Sequence, residues 1–126
     1  MKKKILLVDD EPDIILIVRG RLISWGYDVE TVMNGRAALE AVKRQKPDLI
    51  VMDVRMPVMS GPEACTQLKT DPQTASIPII LMTASTEIGR GDAFTQSMAD
   101  DFVLKPFDPA VLLEKIKKYL DPPASV

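Results

Sequence analysis

The chain has 126 residues, 46% of them hydrophobic, a formal net charge of −2, one cysteine and no histidine. That size suits one ordinary domain, and the interspersed charges offer no basic stripe of the kind a direct nucleic-acid binder carries. A lone Cys65 excludes a disulfide framework, the lack of histidine excludes phosphohistidine and histidine metal ligands, and no apolar stretch reaches the roughly 18 residues needed to cross a bilayer.

Lys2, Lys3 and Lys4 lead into Ile5 to Val8, an apolar run too short for a signal peptide and right for a buried strand, so a cytoplasmic protein without membrane association is expected. A helix should begin near Pro12 and end before Gly26; Asp28 to Val32 alternates like a second strand and runs into the turn pair Asn34-Gly35. Leu49 to Met52, Ile77 to Met82 and Phe102 to Leu104 read as three further buried strands, with helical patterns in the spaces and a helix start near Pro62. The last helix, opened by Pro109 behind an Asp108 N-cap, has an apolar stripe of Val111, Leu112, Lys115, Ile116 and Tyr119 or Leu120, with Lys117 and Lys118 complementing its C-terminal dipole. Strict alternation of apolar strands and helices predicts an α/β fold, (βα)5, with a doubly wound five-stranded parallel sheet covered on both faces. Residues 122–126 form a C-terminal tail or the stub of a linker.

Ligands of open α/β sheets bind beyond the carboxyl ends of the strands. Asp9 and Asp10 follow the first strand, Asp53 the third, Thr83 the fourth and Lys105 the fifth. Each acid alone would pass as a turn residue or cap. Gathered at one edge, however, carboxylates 4 Å apart repel by ~1 kcal/mol per pair in water and ~4 at an effective dielectric of 20. Lys105 offsets one charge, and the rest calls for a divalent cation; with only carboxylate, carbonyl and water ligands, Mg²⁺ fits better than Zn²⁺. Such a site suits phosphoryl transfer, with Asp53 as nucleophile and the cation, Lys105 and the Thr83 hydroxyl on the phosphoryl oxygens.

Residues 5–12 (Ile-Leu-Leu-Val-Asp-Asp-Glu-Pro), 47–57 (Pro-Asp-Leu-Ile-Val-Met-Asp-Val-Arg-Met-Pro), Gly61, Thr83-Ala84 and 99–107 (Ala-Asp-Asp-Phe-Val-Leu-Lys-Pro-Phe) make the chain resemble the response-regulator receiver domain of two-component systems, in particular free-standing, chemotaxis-regulator-like receivers. The resemblance covers essentially all of residues 2–121 and implies one receiver domain over residues 1–121 with a flavodoxin-like strand order 2-1-3-4-5. It also implies that Asp53 is the phosphoacceptor and that Asp10, Asp53 and the Arg55 backbone carbonyl hold Mg²⁺ (or Mn²⁺) directly, with Asp9 acting through water. Thr83 and Lys105 would grip the phosphoryl group, and Thr83 with Phe102 would act as the switch. The phosphoryl donor would be a histidine kinase or histidine phosphotransfer protein, and the response a change in the surface made by the fourth helix, the fifth strand and the last helix. That surface would meet a downstream protein target, in a monomer or a phosphorylation-dependent dimer. Such a protein catalyses its own phosphorylation and dephosphorylation and is not a turnover enzyme.

Some residues depart from the family pattern or add to it. Met98 replaces a usual glycine, so the end of the helix before the fifth strand is expected to be rebuilt, and Gly89 and Gly91 predict a late-starting helix after a mobile loop with weak amide protection at residues 86 to 91. Ile14 to Val18 is more apolar than one stripe needs, so Ile15 or Leu16 should face outward as a docking edge for a helical kinase, and Arg55 should overhang the pocket and alter the phosphoryl lifetime. Lys105-Pro106 is a position where the peptide bond can be cis or trans. Among other functions, a flavin carrier is disfavoured by three acids after the first strand, and an aspartate-nucleophile phosphatase by Arg55 where its second aspartate would stand. A phosphorylation-independent interaction module is the stronger alternative.

Overall fold

The computed structural model describes residues 2–84, 98–105 and 108–121. The helix expected between the fourth and fifth strands, with Gly89 and Gly91, the Lys105-Pro106 bond and the tail at 122–126 lie outside these residues.

In chain order the elements are β1 (Lys4–Val8), α1 (Pro12–Ser24), β2 (Asp28–Val32), α2 (Gly35–Arg44), β3 (Leu49–Asp53), α3 (Gly61–Thr70), β4 (Ile79–Ala84), β5 (Asp101–Lys105) and α4 (Pro109–Leu120). All strand pairs are parallel, in the order β2-β1-β3-β4-β5. This is the doubly wound, flavodoxin-like sheet. The central strands carry unbroken apolar runs, Ile5 to Val8, Leu49 to Met52 and Ile79 to Met82, because both faces are covered, and their side chains alternate between two cores. Leu6, Val8, Ile50, Met52, Ile79 and Leu81 pack under α2 and α3, against Ala38, Ala41, Ala64, Cys65 and Leu68. Ile5, Leu7, Leu49, Val51, Ile80, Met82 and Val103 face Val18, Leu22, Leu112 and Ile116 of α1 and α4. Each large aliphatic side chain so buried stabilises the fold by about 1.5–3 kcal/mol.

Helix boundaries follow local chemistry. Pro12 and Pro109 each open a helix, where a missing N–H is harmless, and the Asp108 carboxylate accepts from the Ala110 N–H at 2.8 Å. Ser60 and Glu63 form a reciprocal capping box around Gly61 and Pro62, a signal not recognised in the sequence. Asn34-Gly35 is no turn: Asn34 caps α2 by accepting from the Ala37 N–H at 2.8 Å, and Gly35 is the first helical residue. Gly26, at φ +96°, ends α1 as expected.

Other expectations are corrected. The fourth strand starts at Ile79, not Ile77, because Pro78 has no N–H to pair; its carbonyl accepts from Ile50 at 2.9 Å. Asp53, Thr83 and Lys105 are not just beyond their strands but inside their last turns of pleat. Val111 is exposed, so the buried stripe of α4 rests on Leu112 and Ile116. On α1, Leu16 faces outward as expected and Ile17 joins it, whereas Ile15 packs against the second core. Met98 is not accommodated by losing the left-handed conformation: it retains it, at φ +65°.

Candidate functional site

The parallel register brings the site together. Val8 pairs with Met52, which puts Asp9, just past the end of β1, level with Asp53 at the end of β3, and Asp53 pairs with Met82, one residue before Thr83. Ala84 pairs with Lys105 at the far side. A side chain as long as lysine is needed to reach back across β4 from there, and Lys105 does so. Its Nζ lies 3.0 Å from Asp53 Oδ1, 3.4 Å from Asp9 Oδ2 and 3.8 Å from Glu11 Oε1.

Carboxylate oxygens of Asp9, Asp10, Glu11 and Asp53 all lie within 4.8 Å of one another. Asp9 and Asp53 are buried, Asp10 is half-buried and Glu11 exposed. Asp9 Oδ1 accepts from the Glu11 N–H at 2.9 Å, which holds the start of α1 over the site. The Lys105 ammonium thus meets three of these four carboxylates, Asp9, Glu11 and Asp53. Burial, reinforced by the charge of Asp9, pushes the Asp53 carboxyl up to about 6 against the opposing pull of its Lys105 contact. Burial works against the Lys105 ammonium, but the Asp53 contact and the charges of Asp53, Asp9 and Glu11 outweigh it and hold its pKa above the ordinary lysine value. A crowded set of hard oxygen ligands with surplus negative charge fits a divalent cation of the Mg²⁺ or Mn²⁺ type, and among the described residues no nitrogen or sulfur ligand joins the cluster.

Every pocket residue expected from sequence lies at this edge. Thr83 is buried at the end of β4, and Arg55 is exposed in the loop after β3. Phe102 lies outside the acidic cluster, half-buried against the first core, with the Lys115 ammonium 5.6 Å from its ring centroid. Glu11 was missed as a cluster member although it directly follows the paired aspartates. So was the geometry of the loop from Val54 to Ser60. There Met59 N–H donates to the Pro57 carbonyl at 2.7 Å across Val58, whose φ is +69°, a three-residue turn of the strained hand.

The parallel sheet and its acidic edge define the class: the chain belongs to the response regulator receiver domain family, which matches residues 5–117. Among curated relatives it is 40% identical over 120 residues to the alkaline phosphatase synthesis transcriptional regulatory protein PhoP of Bacillus subtilis, across 95% of this chain and 49% of that protein. The chain thus spans about half the length of that relative. Among solved structures, the chemotaxis response regulator CheY4 of Vibrio cholerae shares 33% identity at a TM-score of 0.86, covering 94% of this chain and 99% of that one. The receiver domain of sensor histidine kinase PA1611 from Pseudomonas aeruginosa, with a magnesium ion coordinated in its active site cleft, shares 32% identity at a TM-score of 0.88, covering 95% and 98% of the respective chains.

Proposed function

We propose that the chain is phosphorylated on Asp53 by a histidine kinase or a histidine phosphotransfer protein and passes the signal to a downstream protein. The observation that carries this reading is the Lys105 ammonium 3.0 Å from Asp53 Oδ1 within the four-carboxylate cluster. An Asp53 oxygen attacks phosphorus, the bond from phosphorus to the donor imidazole nitrogen breaks, and that nitrogen keeps the electron pair. Lys105 meets the phosphoryl oxygens as charge builds, and the Thr83 hydroxyl donates to them. Held by Asp9, Asp10, Asp53 and the Arg55 carbonyl, Mg²⁺ or Mn²⁺ would supply the remaining neutralisation. With its carboxyl titrating near 6, Asp53 is largely ionised at neutral pH and ready to attack. Hydrolysis of the acyl phosphate resets the protein, which therefore processes its own modification and turns over no external substrate.

Switching would run through Thr83 and Phe102 to the face of β5, α4 and the segment before β5. Leu16 and Ile17, exposed on α1, offer the apolar edge for the phosphodonor. No helix among the described residues is long and apolar enough to cross a membrane, and a cytoplasmic location is part of this proposal.

Intact mass after incubation with acetyl phosphate tests the reading. A gain of about 80 Da that requires both Mg²⁺ and Asp53, and is absent from Asp53→Asn and from chelated samples, is expected. A protein that neither gains this mass nor binds Mg²⁺ would instead be a phosphorylation-independent interaction module.

A further inference from the structure

Asp53 and the Arg55 carbonyl sit at the start of a loop whose far end enters α3, so the placement of that loop sets the site. At two points another backbone comes so close that no side chain fits between. A Cβ on Gly61 would stand 2.2 Å from the carbonyl oxygen of Asp53 and 3.2 Å from Val54 Cα. The Gly61 N–H donates to the Val54 carbonyl at 2.9 Å, so one residue touches the acceptor's peptide and fixes the peptide leading into Arg55. At the other end, the Gly35 N–H donates to the Met59 carbonyl at 3.0 Å, and a Cβ there would lie 2.6 Å from that oxygen.

Neither glycine has a positive φ, so backbone freedom does not explain it. Both open helices, where helix propensity alone would favour alanine. What each position requires is space. Val58, held at φ +69° between the two contacts, shows that the loop is constrained enough to keep an unfavourable conformation.

We propose that Gly61 and Gly35 are positioning residues of the phosphoryl site, their bare backbones letting the first turns of α3 and α2 clamp the segment that carries Asp53 and the Arg55 carbonyl. This rests on the Mg²⁺-dependent acceptor reading above and extends it to two residues that touch neither metal nor phosphoryl group. Gly61 acts directly on the acceptor peptide. Gly35 acts from the opposite end of the loop, through Met59.

The test compares Gly61→Ala, Gly35→Ala and Leu112→Ala, the last thinning the core on the opposite face of the sheet, with wild type. Mg²⁺ affinity is measured by calorimetry and phosphorylation by acetyl phosphate at saturating Mg²⁺. Expected is roughly a tenfold loss of Mg²⁺ affinity in Gly61→Ala, in the range seen when supports of metal ligands are removed, with a smaller loss in Gly35→Ala and none in Leu112→Ala. If Gly61→Ala does not fold, Gly35→Ala carries the test alone. Glycine variants that bind Mg²⁺ as wild type does would overturn the inference, as would an equal loss in Leu112→Ala. A wild type that takes neither Mg²⁺ nor phosphoryl group would overturn the parent reading and this one with it; a wild type that takes both leaves the glycines as the only point at issue.

Discussion

Met98 has a left-handed backbone at φ +65° with its side chain exposed, and Val58 does the same at φ +69° with a branched Cβ. For a residue with a Cβ this conformation costs about 1–2 kcal/mol, partly offset on mutation to glycine because glycine loses more freedom on folding. Met98→Gly is therefore expected to stabilise the protein by about 0.5–1 kcal/mol, read as a higher urea midpoint at unchanged slope. A lower midpoint would mean that the Met98 side chain contributes packing that outweighs the strain. The strain at Met98 was legible as a missing glycine, although the sequence argued for a rebuilt backbone and the backbone kept its form. At Val58 nothing was legible, since no glycine or asparagine marks the turn and the loop around it is fixed by contacts of Met59 with Gly35, distant in sequence, and of Val54 with Gly61, across the loop. Asp9, Asp10, Asp53, Thr83 and Lys105 were legible because they are polar residues closing apolar runs.

One lysine ties α3 to the approach of β4 and to the residue before β5. Lys69 in the last turn of α3 donates to the carbonyls of Ala75 at 3.1 Å and Ile77 at 2.8 Å and pairs with Asp100 at 2.6 Å. The Asp100 carboxylate in turn accepts from the Ile79 N–H at 2.8 Å, so the α3–β4 connection and the entry to β5 hang on one ammonium. Lys69 is largely buried while Asp100 is partly open to water, which moderates the charge contribution. Lys69→Met, which keeps the stem and removes the donors, is expected to destabilise by about 3 kcal/mol through the stranded carbonyls and carboxylate. Lys4→Met, which removes a lysine more exposed than Lys69 and leaves Glu30 its second partner Arg44, should cost under about 1 kcal/mol. Chemical denaturation of the two variants side by side checks this, and equal losses would show the tether to be ordinary. Strands and helices were legible from periodicity and proline placement; the tether was not, because a lysine on a helix surface looks the same in sequence whether it meets water or three oxygens.

Across the whole molecule, the acidic edge ties stability to pH. The Asp53 carboxyl titrates at about 6 when folded against an ordinary 3.8, because burial and Asp9 outweigh the help of Lys105. The folded state thus binds the proton more tightly than the unfolded chain, and the sign follows: stability falls as pH rises from about 4 to about 6, then levels, with the full penalty present above that window. A gap from 3.8 to about 6 corresponds to about 3 kcal/mol. In chelator, Asp53→Asn should therefore match wild type near pH 4 and exceed it at pH 7.5 by up to that amount, on the order of 10 °C in Tm. Taking the difference between the two proteins cancels the carboxylates remote from the cluster, which are the same in both. Saturating Mg²⁺ should close the gap at pH 7.5, since a cation bound only by the folded wild type stabilises it by about 2.7 kcal/mol at a hundredfold excess over Kd. Near pH 5 it should do less, because the proton competes with the metal for Asp53. A Tm difference between Asp53→Asn and wild type that stays flat from pH 4 to 8 would show that Asp53 meets no penalty on folding. Its carboxylate would then be held at the acidic edge by geometry alone, without the cost of burial and of the Asp9 charge.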